Sequence, residues 1–285
     1  MRKHSVVCVA LLIVILAVGG AFAHKGELKY MFQFPAGLEP ELDGDLSDWD
    51  IVGDFYRTRG ANMFNQFGAP MDLSDFNCTL MWGYSLSTGL AYFGYWVADD
   101  MWNDTEKWST TTDWDHSGGV FRGHDQGDDY EAIYGGAQAQ RYDFAAPAYS
   151  ASGYYTKSLN HPWVGTEPYV MWGGRIVSGD LNTFEPAEMI GEISFTPFDN
   201  VHPDGEAASI RHTFVVGQIV GIEHNWGDKD ADPGAYDDAY WSVFGGVGAS
   251  ADADQFGDYL IAPLEDGLPT AVQDNTWGQI KSSFV

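Results

Sequence analysis

The sequence predicts an all-β fold, an antiparallel β-sandwich with long loops and a jelly-roll-like arrangement of strands. Short segments of alternating apolar residues recur along the chain at fairly even spacing, and the stretches between them lack the periodicity of an amphipathic helix. The chain also contains 34 glycines in 285 residues, well above the usual ~7%. Because glycine favours tight turns and weakens helices, this composition supports the same fold class.

The strongest strand prediction covers residues 90–98, whose two faces are both apolar or aromatic. This pattern is typical of a central strand covered on both sides, so Trp96 is predicted to lie in the core. Trp49, which follows an Asp-Gly turn, is predicted as a second core indole. The other predicted strands cover residues 28–34, 76–85, 128–134, 169–178, 187–196, 209–225, 239–244 and 257–263.

Two hairpins are predicted from the turns between these strands. Residues 76–85 and 90–98 are joined through Thr88 and Gly89, and residues 169–178 and 187–196 through Gly179 and Asp180. Polar residues and glycine dominate three further stretches, which are predicted as loops: residues 62–75, 102–127 and 141–168.

Residues 1–23 have the composition of a secretory signal peptide. Arg2 and Lys3 precede an apolar run over residues 6–18, which is short for a membrane span, and residues 21–23 (Ala-Phe-Ala) form a small-x-small cleavage site. We therefore expect a secreted or cell-surface protein that is cleaved after Ala23. Residues 24–267 are then the β-sandwich domain, and residues 268–285 are a C-terminal tail or linker.

The chain is strongly acidic, with 14 Lys and Arg residues against 41 Asp and Glu residues and a formal charge of −27. Nucleic acids and anionic membrane surfaces require a basic protein surface, so neither is an expected partner. Cations and neutral ligands remain, as does the simpler interpretation that the charge serves solubility alone. Loss of Cys8 with the signal peptide leaves Cys78 as the single thiol, which excludes an intramolecular disulfide and a zinc–cysteine site.

Motifs of known enzyme classes are not recognised, and the protein is predicted not to be an enzyme. Residues 83–87 lack the closing glycine of a nucleophile elbow, and the glycine-containing residues 246–251 are not followed by a helix. Carboxylates are so numerous that no pair can be singled out for glycoside hydrolysis.

Two groups of carboxylates have the character of cation ligands. The first group follows a predicted strand at three alternating positions, a spacing that resembles the front half of a calcium loop. The second group combines acidic residues at the ends of strands 90–98 and 128–134, where like charges would repel unless a cation neutralised them. Solvent-exposed acidic turns are the alternative for both groups. The predicted calcium ligands are Asp228, Asp230 and Asp232 in the first group, and Asp99, Asp100, Asp128 and Asp129 in the second.

The 11 tryptophans and 15 tyrosines exceed what a core of this size needs. A flat indole at the surface can stack against the C–H-rich face of a sugar, while arginine and amide groups hold the hydroxyls. Burial in the core is the alternative for each indole. The predicted carbohydrate-binding residues are Trp102, Trp108, Trp172, Arg175 and Trp226.

The order of five features resembles that of the family 9 carbohydrate-binding modules and the broader DOMON-like β-sandwiches. These features are the Asp-Gly-x-Leu-x-Asp-Trp entry at residues 43–49, the strand ending in Asp-Asp at residues 90–100, Asp-x-x-Glu at residues 128–131, a late acidic loop and the closing element at residues 256–261. The resemblance implies a calcium-bearing sandwich that binds a polysaccharide or oligosaccharide between aromatic rings.

Two other functions stay open. DOMON-like sandwiches include haem-binding electron-transfer domains, and the candidate axial ligands are Met63, Met71, Met81, Met101, His116 and His124. A structural cell-surface or assembly protein would instead use the aromatic loops for self-association.

Overall fold

A computed structural model describes residues 27–68, 72–102, 107–114, 139–145, 155–158, 162–180, 184–230, 239–245, 255–266 and 268. Strands dominate this part of the chain and its helical segments are short 3-10 turns, which confirms the all-β prediction. Among the described residues, none of the helical segments has the length and apolar character that a membrane span requires. The strands are β1 (Lys29–Gln33), β2 (Arg57–Arg59), β3 (Phe64–Asn65), β4 (Phe76–Tyr84), β5 (Ala91–Asp99), β6 (Lys107–Asp113), β7 (Ala139–Ala145), β8 (Tyr155–Ser158), β9 (Val170–Ser178), β10 (Ala187–Phe195), β11 (Phe198–Asn200), β12 (Ile210–Arg211), β13 (Ile219–Asp228), β14 (Ala239–Ser242) and β15 (Gly257–Ile261). The 3-10 turns cover Leu46–Ile51, Asp54–Tyr56, Gly60–Asn62, Pro162–Gly165 and Glu206–Ala208.

Two sheets pack against each other and share one strand. Sheet A has the order β8-β7-β6-β13-β15-β1, with β14 and β3 beside β13, and sheet B has the order β1-β4-β5-β10-β9, with β2 beside β4. Lys29–Met31 of β1 pair in parallel with β15, and Phe32 and Gln33 pair in parallel with β4. The sandwich is otherwise antiparallel in its described ladders, so the two parallel ladders of β1 are a departure from the predicted architecture.

The core between the sheets consists largely of aromatic rings. Phe93 and Tyr95 project into it from β5, and Trp108 and Trp226 project from β6 and β13. The Phe93 ring stacks on His224 of β13 at a centroid distance of 4.6 Å, and Trp108 packs against Trp226, also at 4.6 Å. These contacts join β5 in sheet B to β6 and β13 in sheet A, and they fix the two sheets face to face.

A second, smaller core covers one end of the outer face of sheet B. There the turn Leu46–Ile51 places the fully buried Trp49 over Gly94 of β5. A Cβ atom at Gly94 would lie 2.6 Å from Trp49 Cε2, so glycine is required at this position. Glu192 of β10 accepts hydrogen bonds from Trp49 Nε1 at 2.9 Å and from the backbone N–H of Gly44 at 2.8 Å. The prediction that Trp49 is a core residue is confirmed.

The structure corrects several predicted elements. The predicted loop over residues 62–75 contains β3, the one over 102–127 contains β6, and the one over 141–168 contains most of β7 and all of β8. The predicted strand over residues 209–225 is divided into β12 and β13. Trp96 is half-buried on the outer face of sheet B, so its assignment to the core was wrong. The predicted strand 128–134 and the signal peptide lie outside the described residues.

Candidate functional site

Five aspartates converge at one end of the sandwich, and we call them the acidic cluster: Asp75, Asp99, Asp100, Asp228 and Asp230. They form two overlapping groups, Asp75 with Asp100 and Asp230, and Asp99 with Asp228 and Asp230. Within each group, one carboxylate oxygen from each residue lies within 4.8 Å of the others.

Strand alternation explains why these side chains meet. Asp99 follows Val97 on the inward face of β5, and Asp228 follows Trp226 on the inward face of β13. Both strands therefore end with a carboxylate that points between the sheets. Asp75 immediately precedes β4, and its carbonyl accepts a hydrogen bond from the backbone N–H of Asp100 at 3.0 Å.

The central carboxylates of the acidic cluster are removed from water. Asp99 and Asp228 are only 2% and 1% exposed. Asp228 Oδ2 accepts a hydrogen bond from Trp241 Nε1 at 2.7 Å, whereas Asp228 Oδ1 is buried without a hydrogen-bond partner among the described residues. Asp230 Oδ1 is also buried without a hydrogen-bond partner among the described residues. Buried polar oxygens are normally satisfied, so the two oxygens point to a missing positive or donating group.

The electrostatics of the acidic cluster lead to the same conclusion. Burial, reinforced by the charges of Asp99, Asp230 and Asp75, raises the pKa of Asp228 to about 8, even though the bond from Trp241 opposes this rise. Burial and the charges of Asp75, Asp99 and Asp100 raise the pKa of Asp230 to about 7. Without a cation, the folded protein therefore resists the ionisation of both groups.

We expect the metal-free protein to lose stability as the pH rises from about 4 to about 8. In the unfolded chain both aspartates ionise near pH 3.8, while in the folded protein they keep their protons up to pH 7 or 8. The folded state consequently binds more protons across this interval, and stability must fall as the pH increases. Thermal melts in EDTA across this range measure the effect. A melting temperature that rises steadily from pH 4 to pH 8 in EDTA would contradict it.

The acidic cluster unites the two predicted groups of calcium ligands. Asp99 and Asp100 come from one group and Asp228 and Asp230 from the other, while Asp128, Asp129 and Asp232 lie outside the described residues. Sequence reasoning missed Asp75. The predicted hairpin contained the signal that could have found it, because antiparallel pairing places the start of β4 beside the end of β5, with Phe76 opposite Asp99.

The oxygen-only donor set suits a hard divalent cation. Calcium takes about 6–8 oxygen ligands in flexible geometry, and carboxylates are its preferred protein donors. The acidic cluster supplies five carboxylates from three separate parts of the chain. Bound calcium would neutralise their mutual repulsion and supply the partner that Asp228 Oδ1 lacks among the described residues.

The tryptophans predicted to bind sugar occupy different places from those expected. Trp102, Trp108 and Trp226 are at most 1% exposed and belong to the core between the sheets, so the prediction of exposed indole faces is wrong for these three residues. Trp172 is half-buried and packs against the same core. Arg175 is exposed on β9.

The candidate haem ligands that the structure describes are dispersed. Met63 is buried with its Sδ 3.1 Å from Cys78 Sγ, Met81 lies in the second core, and Met101 is half-buried near the acidic cluster. Met71, His116 and His124 lie outside the described residues. The buried His224, which is not among the candidate haem ligands, accepts a hydrogen bond from Trp82 Nε1 and stacks on the Phe93 ring.

Comparison with protein-family models, with curated proteins and with solved structures gives no match for this chain.

Proposed function

We propose that the protein is an exported, non-catalytic, carbohydrate-binding β-sandwich that is stabilised by calcium at the acidic cluster. The observation that carries the calcium proposal is the buried carboxylate of Asp228, which has one oxygen without a partner in the described structure and carboxylate oxygens of Asp99 and Asp230 within 4.8 Å. If the carboxylates of the acidic cluster served only solubility, they would stay in water, where they repel one another only weakly. Solubility therefore does not explain why they are buried, which is costly for a charged group.

Calcium would have a structural role at this position. The acidic cluster links the end of β5 in sheet B to the end of β13 in sheet A and to the segment that enters β4. A cation bound to all three would hold the two sheets together at one end of the sandwich. Because a ligand that binds only the folded state shifts the folding equilibrium, calcium would contribute directly to stability.

Carbohydrate binding is supported by the outer face of sheet B. The second core covers only one end of this face, and the remainder carries a half-buried indole together with side chains that donate and accept hydrogen bonds. Such a combination suits a neutral ligand that is rich in hydroxyl groups. The high negative charge of the protein is compatible with a neutral glycan because no counter-charge is needed for association.

Two measurements test the proposal separately. Calorimetric titration of EDTA-stripped protein with calcium chloride should give saturable heat, and magnesium chloride serves as the comparison cation. Affinity electrophoresis in gels that contain xylan, hydroxyethylcellulose, galactomannan or starch should show retardation in at least one gel. Absence of calcium heat would refute the calcium part, and unretarded migration in all four gels would refute the carbohydrate part. Release of reducing ends from a bound polysaccharide would refute the non-catalytic part.

A further inference from the structure

A row of side chains crosses the open part of sheet B, and its pairing places all of them on the outer face. Arg59 of β2 pairs with Thr79, Thr79 with Trp96, Trp96 with Ile190, and Ile190 with Arg175. Directly opposite residues in antiparallel ladders project from the same face. We call these five residues, together with Glu188 of β10, the Trp96 face.

The Trp96 face is accessible to a ligand. Thr79, Trp96, Glu188 and Ile190 are half-buried, and Arg59 and Arg175 are exposed. By contrast, the adjoining row of the same sheet is covered, since Gly94 lies under Trp49 and Glu192 is fully buried beneath the turn Leu46–Ile51. The Leu42 carbonyl likewise lies so close over Gly173 that a Cβ atom there would overlap it. The second core thus ends one row before Trp96.

On the side away from the second core, the Trp96 face borders a cavity of about 190 Å³. Ala98 and Glu188 line this cavity from the outer face of sheet B, and Asp75, Asp99 and Asp100 of the acidic cluster also line it. Trp96 and Ala98 are neighbours on the same face of β5, about 7 Å apart along the strand. The cavity therefore borders the Trp96 face on the side of the acidic cluster.

The chemistry of the Trp96 face matches a sugar chain. Trp96 Nε1 donates a hydrogen bond to Glu188 Oε2 at 3.4 Å, which restrains the indole on a rigid central strand. Arg59 and Arg175 each lie two strands from Trp96, or about 10 Å to either side, and Arg59 is also paired with Asp54 at 2.9 Å. Sugar hydroxyls both donate and accept, so the arginines and Glu188 can bind them while the indole packs against a ring face.

We propose that the Trp96 face is the glycan-binding surface of this protein and that a neutral polysaccharide chain lies on it across the strands. The five paired residues span four inter-strand spacings, about 19 Å, which is an elongated open surface rather than a pocket for a single residue. The inference rests on the proposed carbohydrate binding and adds the location and the open shape of the site.

The test uses the full-length protein and the polysaccharide gels described above, with xylan, hydroxyethylcellulose, galactomannan and starch as the probes. Trp96→Ala should lower the affinity for the retarding polysaccharide about tenfold or more, as expected when a central aromatic anchor is removed. Arg175→Ala, which changes an exposed residue at the end of the row, should weaken binding by a smaller factor. Phe55→Ala is the matched control, since Phe55 is 68% exposed and lies on the turn Asp54–Tyr56 outside the row.

The outcomes separate the inference from the proposed function. If wild-type protein binds a polysaccharide and both Trp96→Ala and Arg175→Ala bind it equally well, the Trp96 face is not the site, although carbohydrate binding stands. If the wild type binds none of the four polysaccharides, both are refuted. A melting temperature of each variant within a few degrees of the wild type shows that lost binding does not reflect unfolding.

Discussion

Replacing Asp228 by asparagine is expected to abolish the rise in melting temperature that the proposed calcium site predicts for the wild-type protein. At a calcium concentration about 100 times the dissociation constant, binding to the folded state alone stabilises it by about 2.7 kcal/mol. For a chain of this size this corresponds to a rise of roughly 5–10 °C. The substitution removes the most buried carboxylate of the acidic cluster, so little of this rise should remain. Differential scanning calorimetry with EDTA and with calcium measures it.

The same variant should behave in the opposite way without calcium. At pH 8 in EDTA, Asp228→Asn is expected to melt above the wild type, because an uncharged amide avoids both desolvation of a carboxylate and repulsion from Asp99 and Asp230. Asp50→Asn is the control, since Asp50 is exposed on the turn Leu46–Ile51 and should keep the full calcium response. A full calcium response in Asp228→Asn would rule out the acidic cluster as the calcium site.

Trp49→Ala is expected to lower the free energy of unfolding by about 3–5 kcal/mol, the range for loss of a large buried aromatic side chain. Trp49 is fully buried over Gly94, and its removal leaves both a cavity and a buried carboxylate at Glu192 that has lost one of its donors. Urea unfolding at pH 7 measures the loss.

Glu192→Gln should lower the free energy of unfolding by about 1–3 kcal/mol, because an amide cannot accept hydrogen bonds through both of its terminal atoms.

Trp96→Ala is the matched comparison for Trp49→Ala. Trp96 lies on β5 of sheet B and is half-buried on its open outer face. Trp49 lies on the turn Leu46–Ile51, which covers the same sheet, and it is fully buried. We therefore expect the unfolding free energy of Trp96→Ala to fall by much less than that of Trp49→Ala. Equal losses in the two variants would mean that the turn Leu46–Ile51 does not enclose Trp49 in solution.

The sequence-based predictions identify strands well where apolar alternation is strong and fail where polar β-branched residues replace it. β4, β5, β9 and β10 lie within about one residue of their predicted bounds and pair as the two predicted hairpins. β6 contains Ser109 followed by a run of threonines, which looks polar but has high strand propensity, and it was predicted as a loop. Its hydroxyls are buried in sheet A, a position that only tertiary contacts reveal.

The roles of the tryptophans could not be predicted because alternation divides a strand into two faces without saying what covers each face. β5 is apolar on both faces, and the sequence gives no sign that the turn Leu46–Ile51 covers Gly94 but stops before Trp96. Trp108 and Trp226 were predicted at the surface because polar residues surround them in sequence. In the fold each is one of the inward-facing residues of a strand, and the adjacent polar residues Ser109 and Asn225 lie on the opposite face.

The acidic cluster was predicted as two groups for a similar reason. Local spacing identified Asp99 and Asp100 as one candidate and Asp228 and Asp230 as another, but it could not establish that β5 and β13 end at the same edge of the sandwich. That relation depends on how sheet A packs on sheet B. The aromatic contacts of the core fix the two sheets against each other, and this packing brings the ends of β5 and β13 to the same edge.

The shared strand β1 has a consequence for how the chain folds. Its parallel partners are β4, which lies in the first third of the chain, and β15, which is the last described strand. The ladder between Lys29–Met31 and Tyr259–Ile261 can form only after nearly the whole domain has been synthesised. Contacts of such large sequence separation slow folding, because loop-closure entropy must be overcome before they form. The domain should therefore remain incompletely folded until its last strands have been synthesised.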